Sequence, residues 1–157
     1  MYARALWAPA VILGLWLLAG TAFAAGMGNG DSAKPKDPTY AQARELFDTG
    51  DYAAAVPLLQ KTVAADPRNA DAFNYLGYSL RKTGNWDDAM ASYLKALELE
   101  PKHRGANEYL GELYLEMDQL EKAKERLDVL DSACFFGCEE YRELKAAIKA
   151  YEQKAGG

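Results

Sequence analysis

Equivalent residues recur along this chain at a step of 34: Gly50 and Gly84; Ala55, Ala89 and Ala123; Pro67 and Pro101; Gly77 and Gly111. The clearest unit is residues 70–103, ADAFNYLGYSLRKTGNWDDAMASYLKALELEPKH. A segment in register precedes it, ending LLQKTVAADPRN, and another follows, opening RGANEYLGELYLEMDQLEKAKERL. A fixed period of this size is the mark of a helical repeat array, in which each unit buries its apolar face only by stacking on its neighbours. The period predicts an all-α fold. Arrays of this kind act by holding other chains more often than by chemistry.

Within each unit the apolar spacing reads as two helices. Tyr40, Ala43, Leu46 and Phe47 share one helical face, and Thr39 is the expected N-cap. Gly50 ends that helix and Asp51 caps the next, which carries Tyr52, Ala55, Val56, Leu59 and Val63. Pro57 falls within its first two turns and predicts a mild bend rather than a break. Asp66-Pro67 terminates it. The second pair uses Ala72, Phe73, Leu76, Tyr78 and Leu80, turns at Thr83-Gly84-Asn85, and continues with Trp86, Ala89, Met90, Tyr93, Leu94 and Leu97. The third uses Tyr109, Leu110, Leu113, Tyr114 and Leu115, turns at Met117-Asp118, and returns through Leu120, Ala123, Leu127 and Leu130.

The first residues read as a targeting segment. Arg4 precedes the apolar run Leu6 to Leu18, and Ala22-Phe23-Ala24 is an A-x-A cleavage pattern. The expectation is a signal peptide over residues 1–24, cut after Ala24, which places the mature chain in the periplasm or outside the cell. The alternative is an uncleaved anchor, since Leu6 to Ala25 is 20 residues, long enough to span a bilayer. Residues 25–38, AGMGNGDSAKPKDP, read as a flexible linker without enough apolar bulk to offset the entropy of ordering. Net charge is −5, and −6 once Arg4 is removed. That balance argues against nucleic acid or an anionic membrane, both of which want a basic face.

The residues Leu76-Gly77, Leu80, Gly84, Trp86, Ala89, Tyr93, Ala96 and Pro101 resemble the tetratricopeptide repeat (TPR) family, and the resemblance runs from Thr39 to Ser132. It implies antiparallel helix pairs over residues 39–69, 70–103 and 104–132, stacked into a right-handed superhelix with a concave groove. In such a stack Gly77, Ala89 and Ala96 are small where helices approach, and Trp86 and Tyr93 fill the space between pairs. The third copy departs from the pattern. In place of a closing proline it has a cysteine loop over residues 133–138, then a helix over 139–154. One face of that helix is Tyr141, Leu144, Ile148 and Tyr151; the other is Arg142, Glu143, Lys149 and Glu152. This suits a terminal cap. The ending CFFGCEEYRELKAAI is similar to endings of secreted bacterial TPR proteins.

The resemblance also implies that the first helix of each pair lines the groove. Carried over by alignment, the partner-binding candidates are Tyr40, Arg44, Phe47 and Asp48; Asn74, Tyr78, Arg81 and Lys82; and Glu108, Glu112, Leu115 and Glu116. The groove would be aromatic at one end, basic in the middle and acidic at the far end. TPRs that grip chaperone tails use Lys and Asn at defined positions, which here hold Tyr40, Arg44, Tyr75, Gly105 and Tyr109. A chaperone-tail receptor is therefore not expected. The expected function is a protein-interaction adaptor holding a peptide or extended segment, with micromolar affinity for so short a groove.

Cys134 and Cys138 are the sharpest chemical candidates. In an oxidising compartment they predict a structural disulfide, with Gly137 letting the loop turn tightly. A redox pair, and so a thiol-active envelope protein, is the alternative, although the spacing is not C-x-x-C. Free thiols or a bond to another chain also remain open. Self-assembly through the stacking faces is a third possibility. His103 is the only histidine; it reads as a solvated turn residue, and zinc wants four ligands. Gly26, Gly28 and Gly30 lack the strand and helix of a nucleotide fingerprint. No catalytic constellation, metal site or cofactor is expected.

Overall fold

A computed structural model of the chain describes residues 37–155. The expected signal peptide, residues 1–24, and all but the last two residues of the expected linker lie outside that range. The described residues form seven helices: α1 (Pro38–Asp48), α2 (Tyr52–Ala65), α3 (Ala70–Lys82), α4 (Trp86–Leu99), α5 (Arg104–Glu116), α6 (Leu120–Ala133) and α7 (Glu139–Ala155). None of them is long and apolar enough to cross a membrane.

The chain's punctuation explains where these helices begin and end. Asp51 and Asn69 cap α2 and α3 by accepting from Ala54 N and Ala72 N. The start of α1 differs from expectation. Its cap is Asp37, which accepts from Thr39 N at 2.9 Å, and Pro38 is the first helical residue. A proline is suited to that position because its missing N–H would have no partner there. Pro57 leaves α2 continuous from Tyr52 to Ala65. Gly50 and Gly84 close the first two within-pair turns at φ +81° and +83°. In the third pair Asp118 holds that left-handed conformation, at φ 58°.

Successive helices pack as antiparallel pairs, and each pair packs on the next through α2–α3, α4–α5 and α6–α7. Odd-numbered helices also touch in series, α1 with α3, α3 with α5 and α5 with α7, whereas no even-numbered helix touches another. The array therefore curves toward the odd helices, which form its inner layer. Ala55, Ala89 and Ala123, equivalent in the three pairs, are fully buried. Gly77 is small for a reason visible in the packing: a Cβ there would lie 2.7 Å from the Tyr93 ring. Gly111 plays the same part against Leu144 of α7, which a Cβ would meet at 2.6 Å. That contact seats α7 on the last pair.

Two expected core residues stand in solvent instead. Trp86 is 42% exposed and Leu94 47%. Trp86 is the first residue of α4, at the edge of its pair, and the fully buried Tyr93 two turns later takes the interior. The cysteines form a disulfide with Cα atoms 5.5 Å apart, joining the end of α6 to the residue before α7. Gly137 turns within the loop at φ +76°. Phe135 and Phe136, between the cysteines, are 96% and 97% exposed.

Candidate functional site

The inner face of α1, α3 and α5 carries a continuous run of half-buried rings. Tyr40 sits 6.4 Å from Tyr75, Tyr75 4.7 Å from Phe47, Phe47 5.1 Å from Tyr78, and Tyr78 4.7 Å from Tyr109. Most meet edge to face, the arrangement the ring quadrupole favours. Tyr52 of α2 joins at 5.4 Å from Tyr78. The aromatic character expected at one end of the groove thus extends across three helices.

Cations of the chain already use these rings. The Arg44 guanidinium lies 4.0 Å from the Tyr75 centroid and donates to Tyr75 Oη at 2.6 Å and to Asp48 Oδ1 at 3.3 Å. Lys82 Nζ lies 5.1 Å from the Tyr78 centroid. Burial pushes the Tyr40 phenol up to about 12, Asp71 adds to the shift, and the hydrogen bond with Arg44 opposes it.

The expected sequence of basic middle and acidic far end does not survive as separate surfaces. Arg81 donates to Glu112 Oε2 at 2.6 Å and to Glu116 Oε1 at 2.7 Å, and its side chain is only 8% exposed. Burial alone would lower the Arg81 pKa; the hydrogen bonds to Glu116 and Glu112 outweigh it and raise it. These three residues form an ionic bridge between α3 and α5. Leu115 leaves the groove altogether and joins the core. Lys82 remains exposed at the rim.

A cleft of about 480 Å³ opens between α3, the α4–α5 turn, α5 and the start of α7. Asn74, Tyr75, Glu108, Tyr109 and Glu140 are among its walls. Glu108, expected on the solvated groove surface, is only 3% exposed. Burial raises its carboxyl to about 9; a hydrogen bond with Glu143 and the charges on Glu143, Glu112 and Glu140 push the same way. Asn74 is 4% exposed, and its Oδ1 has no hydrogen-bond partner.

His103 also departs from expectation. Its Nδ1 accepts from Ala106 N at 3.1 Å, capping α5, and its Nε2 lies 3.0 Å from Asp71 Oδ1 on α3. With Nδ1 accepting, Nε2 carries the proton and donates to Asp71. His103 therefore ties two pairs together. Among the described residues, no group of three or more His, Cys, Asp or Glu side chains is placed to hold a metal ion.

Asp71 and His103 were not expected in the groove, and Tyr75 and Tyr109, which fall at groove positions of the family, were not among the partner-binding candidates. All four line the cleft, and the two tyrosines belong to the aromatic floor. The signal that locates them is separation by roughly one repeat: Arg44 with Tyr75 and Arg81 with Glu112 are 31 apart, and His103 with Asp71 is 32 apart.

Known proteins resemble the chain. Cellulose synthase operon protein C of Escherichia coli (strain K12) is 35% identical over 68 residues, 41% of this chain and 6% of that protein. The chain spans at most 12% of the length of the curated relatives it matches. The Yersinia enterocolitica type III secretion chaperone SycD, solved with a peptide of the translocator YopD, has a TM-score of 0.65 at 21% identity. That match covers 74% of this chain and 92% of SycD. The TPR2B domain of yeast Sti1, solved in a complex with pHsp70, has a TM-score of 0.67 at 21% identity and covers 74% of this chain and 94% of that one. Both structures share the fold of this chain. Two tetratricopeptide repeat models match its sequence, one over residues 40–104 and one over residues 80–148. The chain belongs to the tetratricopeptide repeat family.

Proposed function

We propose that this chain is a periplasmic or secreted adaptor that holds a peptide or extended segment along the inner face of α1, α3 and α5. The observation that carries this reading is the aromatic floor from Tyr40 to Tyr109. It is half-buried, rigidified by edge-to-face contacts, and rimmed by Lys82. Tyrosine supplies contact area at small entropic cost and is enriched among residues that dominate binding. SycD, which shares the fold, was solved with a peptide of YopD, and Sti1 TPR2B in a complex with pHsp70, which supports use of the fold for binding here. The envelope location rests on residues 1–24 and predicts that the N-terminus of the mature protein is Ala25. Membership of a family of protein-interaction repeats supports action by binding rather than catalysis.

The test is a comparison of partner affinity between the wild-type chain and a Tyr78→Leu, Lys82→Ala variant. Leucine keeps apolar bulk against Phe47 and Tyr109, so the fold is retained. The expected result is a loss of at least tenfold in affinity, about 1.4 kcal/mol. Equal affinity would move the partner off the inner face.

A further inference from the structure

We propose that the cleft between α3, α5 and the start of α7 takes the ammonium or guanidinium group of a lysine or arginine side chain in the bound peptide, recognised by Asn74, Glu108 and Tyr109. This proposal rests on the groove reading above and names the chemistry of its ligand.

The first observation is an acceptor without a donor. Asn74 is 4% exposed, lines the cleft, and leaves Oδ1 unpartnered. A buried acceptor left unmade costs free energy, so an N–H donor brought by a ligand that reaches Oδ1 would be favoured there. The second is an acid without a cation. Glu108, 3% exposed on the opposite wall, forms no ion pair with any lysine or arginine among the described residues. The lysine and the arginine that line the cleft are otherwise engaged. Arg104 Nε lies 3.6 Å from Glu140, and Lys102 Nζ donates to Ser132 O at 3.4 Å. The third is a ring without a cation. Tyr75 and Tyr78 already hold Arg44 and Lys82, while among the described residues no cation lies over Tyr109, whose ring also lines the cleft.

Other occupants fit worse. An anionic side chain would meet the field of Glu140 and Glu143, whose charges already act on Glu108. An apolar one would seal Asn74 Oδ1 and the Glu108 carboxyl away from any donor. On entry of a cation the Glu108 carboxyl gives its proton to solvent, and the carboxylate formed pairs with the incoming charge.

The experiment uses blocked tripeptides, acetyl-Ala-X-Ala-amide, with X as lysine, arginine, norleucine or glutamate. Binding is read from the backbone amide signals of the isotope-labelled protein. The expected result is a saturable shift at Asn74, Gly105 and Glu108 with the lysine and arginine peptides, at least tenfold tighter than with norleucine, and none with glutamate. Glu108→Gln keeps the size of the side chain and should weaken the lysine peptide at least tenfold. Norleucine binding as tightly as lysine, or unchanged lysine affinity in Glu108→Gln, would overturn the proposal without any question of folding. Cleft signals that stay still while Tyr78 and Lys82 respond would remove the cation site and leave the groove standing. Silence at every groove amide would remove both.

Discussion

At the residue scale, two positions translate packing directly into measurable stability. Gly77 has no room for a side chain, since a Cβ would lie 2.7 Å from the fully buried Tyr93 ring. Gly77→Ala is expected to destabilise the fold by about 1–3 kcal/mol through overpacking, read as a lower midpoint in chemical denaturation. Glu108 contributes in the opposite sense. Its folded carboxyl holds a proton up to about pH 9, while the unfolded chain releases it near 4.5. Between those values the folded state binds more protons, so this residue makes stability fall as pH rises, by at most about 1.4 kcal/mol per pH unit. Glu112 of α5 and Glu140 and Glu143 of α7 act on it, and Asp71 of α3, Lys102 and His103 of the α4–α5 turn and Arg104 of α5 line the same cleft. They are common to wild type and Glu108→Gln, so the difference between the two isolates Glu108. Melting curves from pH 5 to pH 8 should show the Gln variant gaining on wild type as pH rises. A constant difference would contradict the assignment.

At the element scale, the bridges between helices decide which charges are available to a partner. Arg81→Met should cost about 1–2 kcal/mol, because it leaves Glu112 and Glu116 without their cation across the α3–α5 contact. Thermal melts of the single variant and of Arg81→Met combined with Glu112→Gln would show the second change recovering part of the loss. The disulfide is a smaller stabiliser, since the loop it closes is short. Replacing Cys134 and Cys138 by serine should lower stability by about 1–2 kcal/mol and leave the aromatic floor unchanged. The helices themselves were legible in the sequence. Gly50, Gly84, Pro67 and Pro101 mark their ends, and Ala55, Ala89 and Ala123 mark the buried faces. What pairs with what between repeats was not legible. Apolar spacing within one helix assigns Arg81, Glu112 and Glu116 to the same inner layer, but it does not join them. The role of His103 was hidden for the same reason, since its second partner lies 32 residues upstream. Trp86 was misplaced because the repeat pattern fixes its position in the unit and not its depth.

At the scale of the whole molecule, the curvature of the stack is what turns a repeat into a binding surface. Odd helices that touch in series, backed by even helices that do not, present Tyr40, Phe47, Tyr75, Tyr78 and Tyr109 on one concave strip. The helical repeat array was legible from the step of 34, and the family resemblance carried by residues such as Gly77, Trp86, Ala89 and Tyr93 implied that the first helix of each pair lines the groove. The sign of its charge was not, because Arg81 is spent inside the fold and Glu108 is buried. The central claim is that partners bind this inner face. A photo-crosslinking benzoylphenylalanine placed at position 82, on the groove rim, and separately at position 94, exposed on α4 of the outer layer, tests it most directly. Each variant would be exposed to an envelope extract and irradiated. The account predicts a covalent adduct from position 82 and none from position 94. An adduct from position 94, with none from position 82, would contradict it.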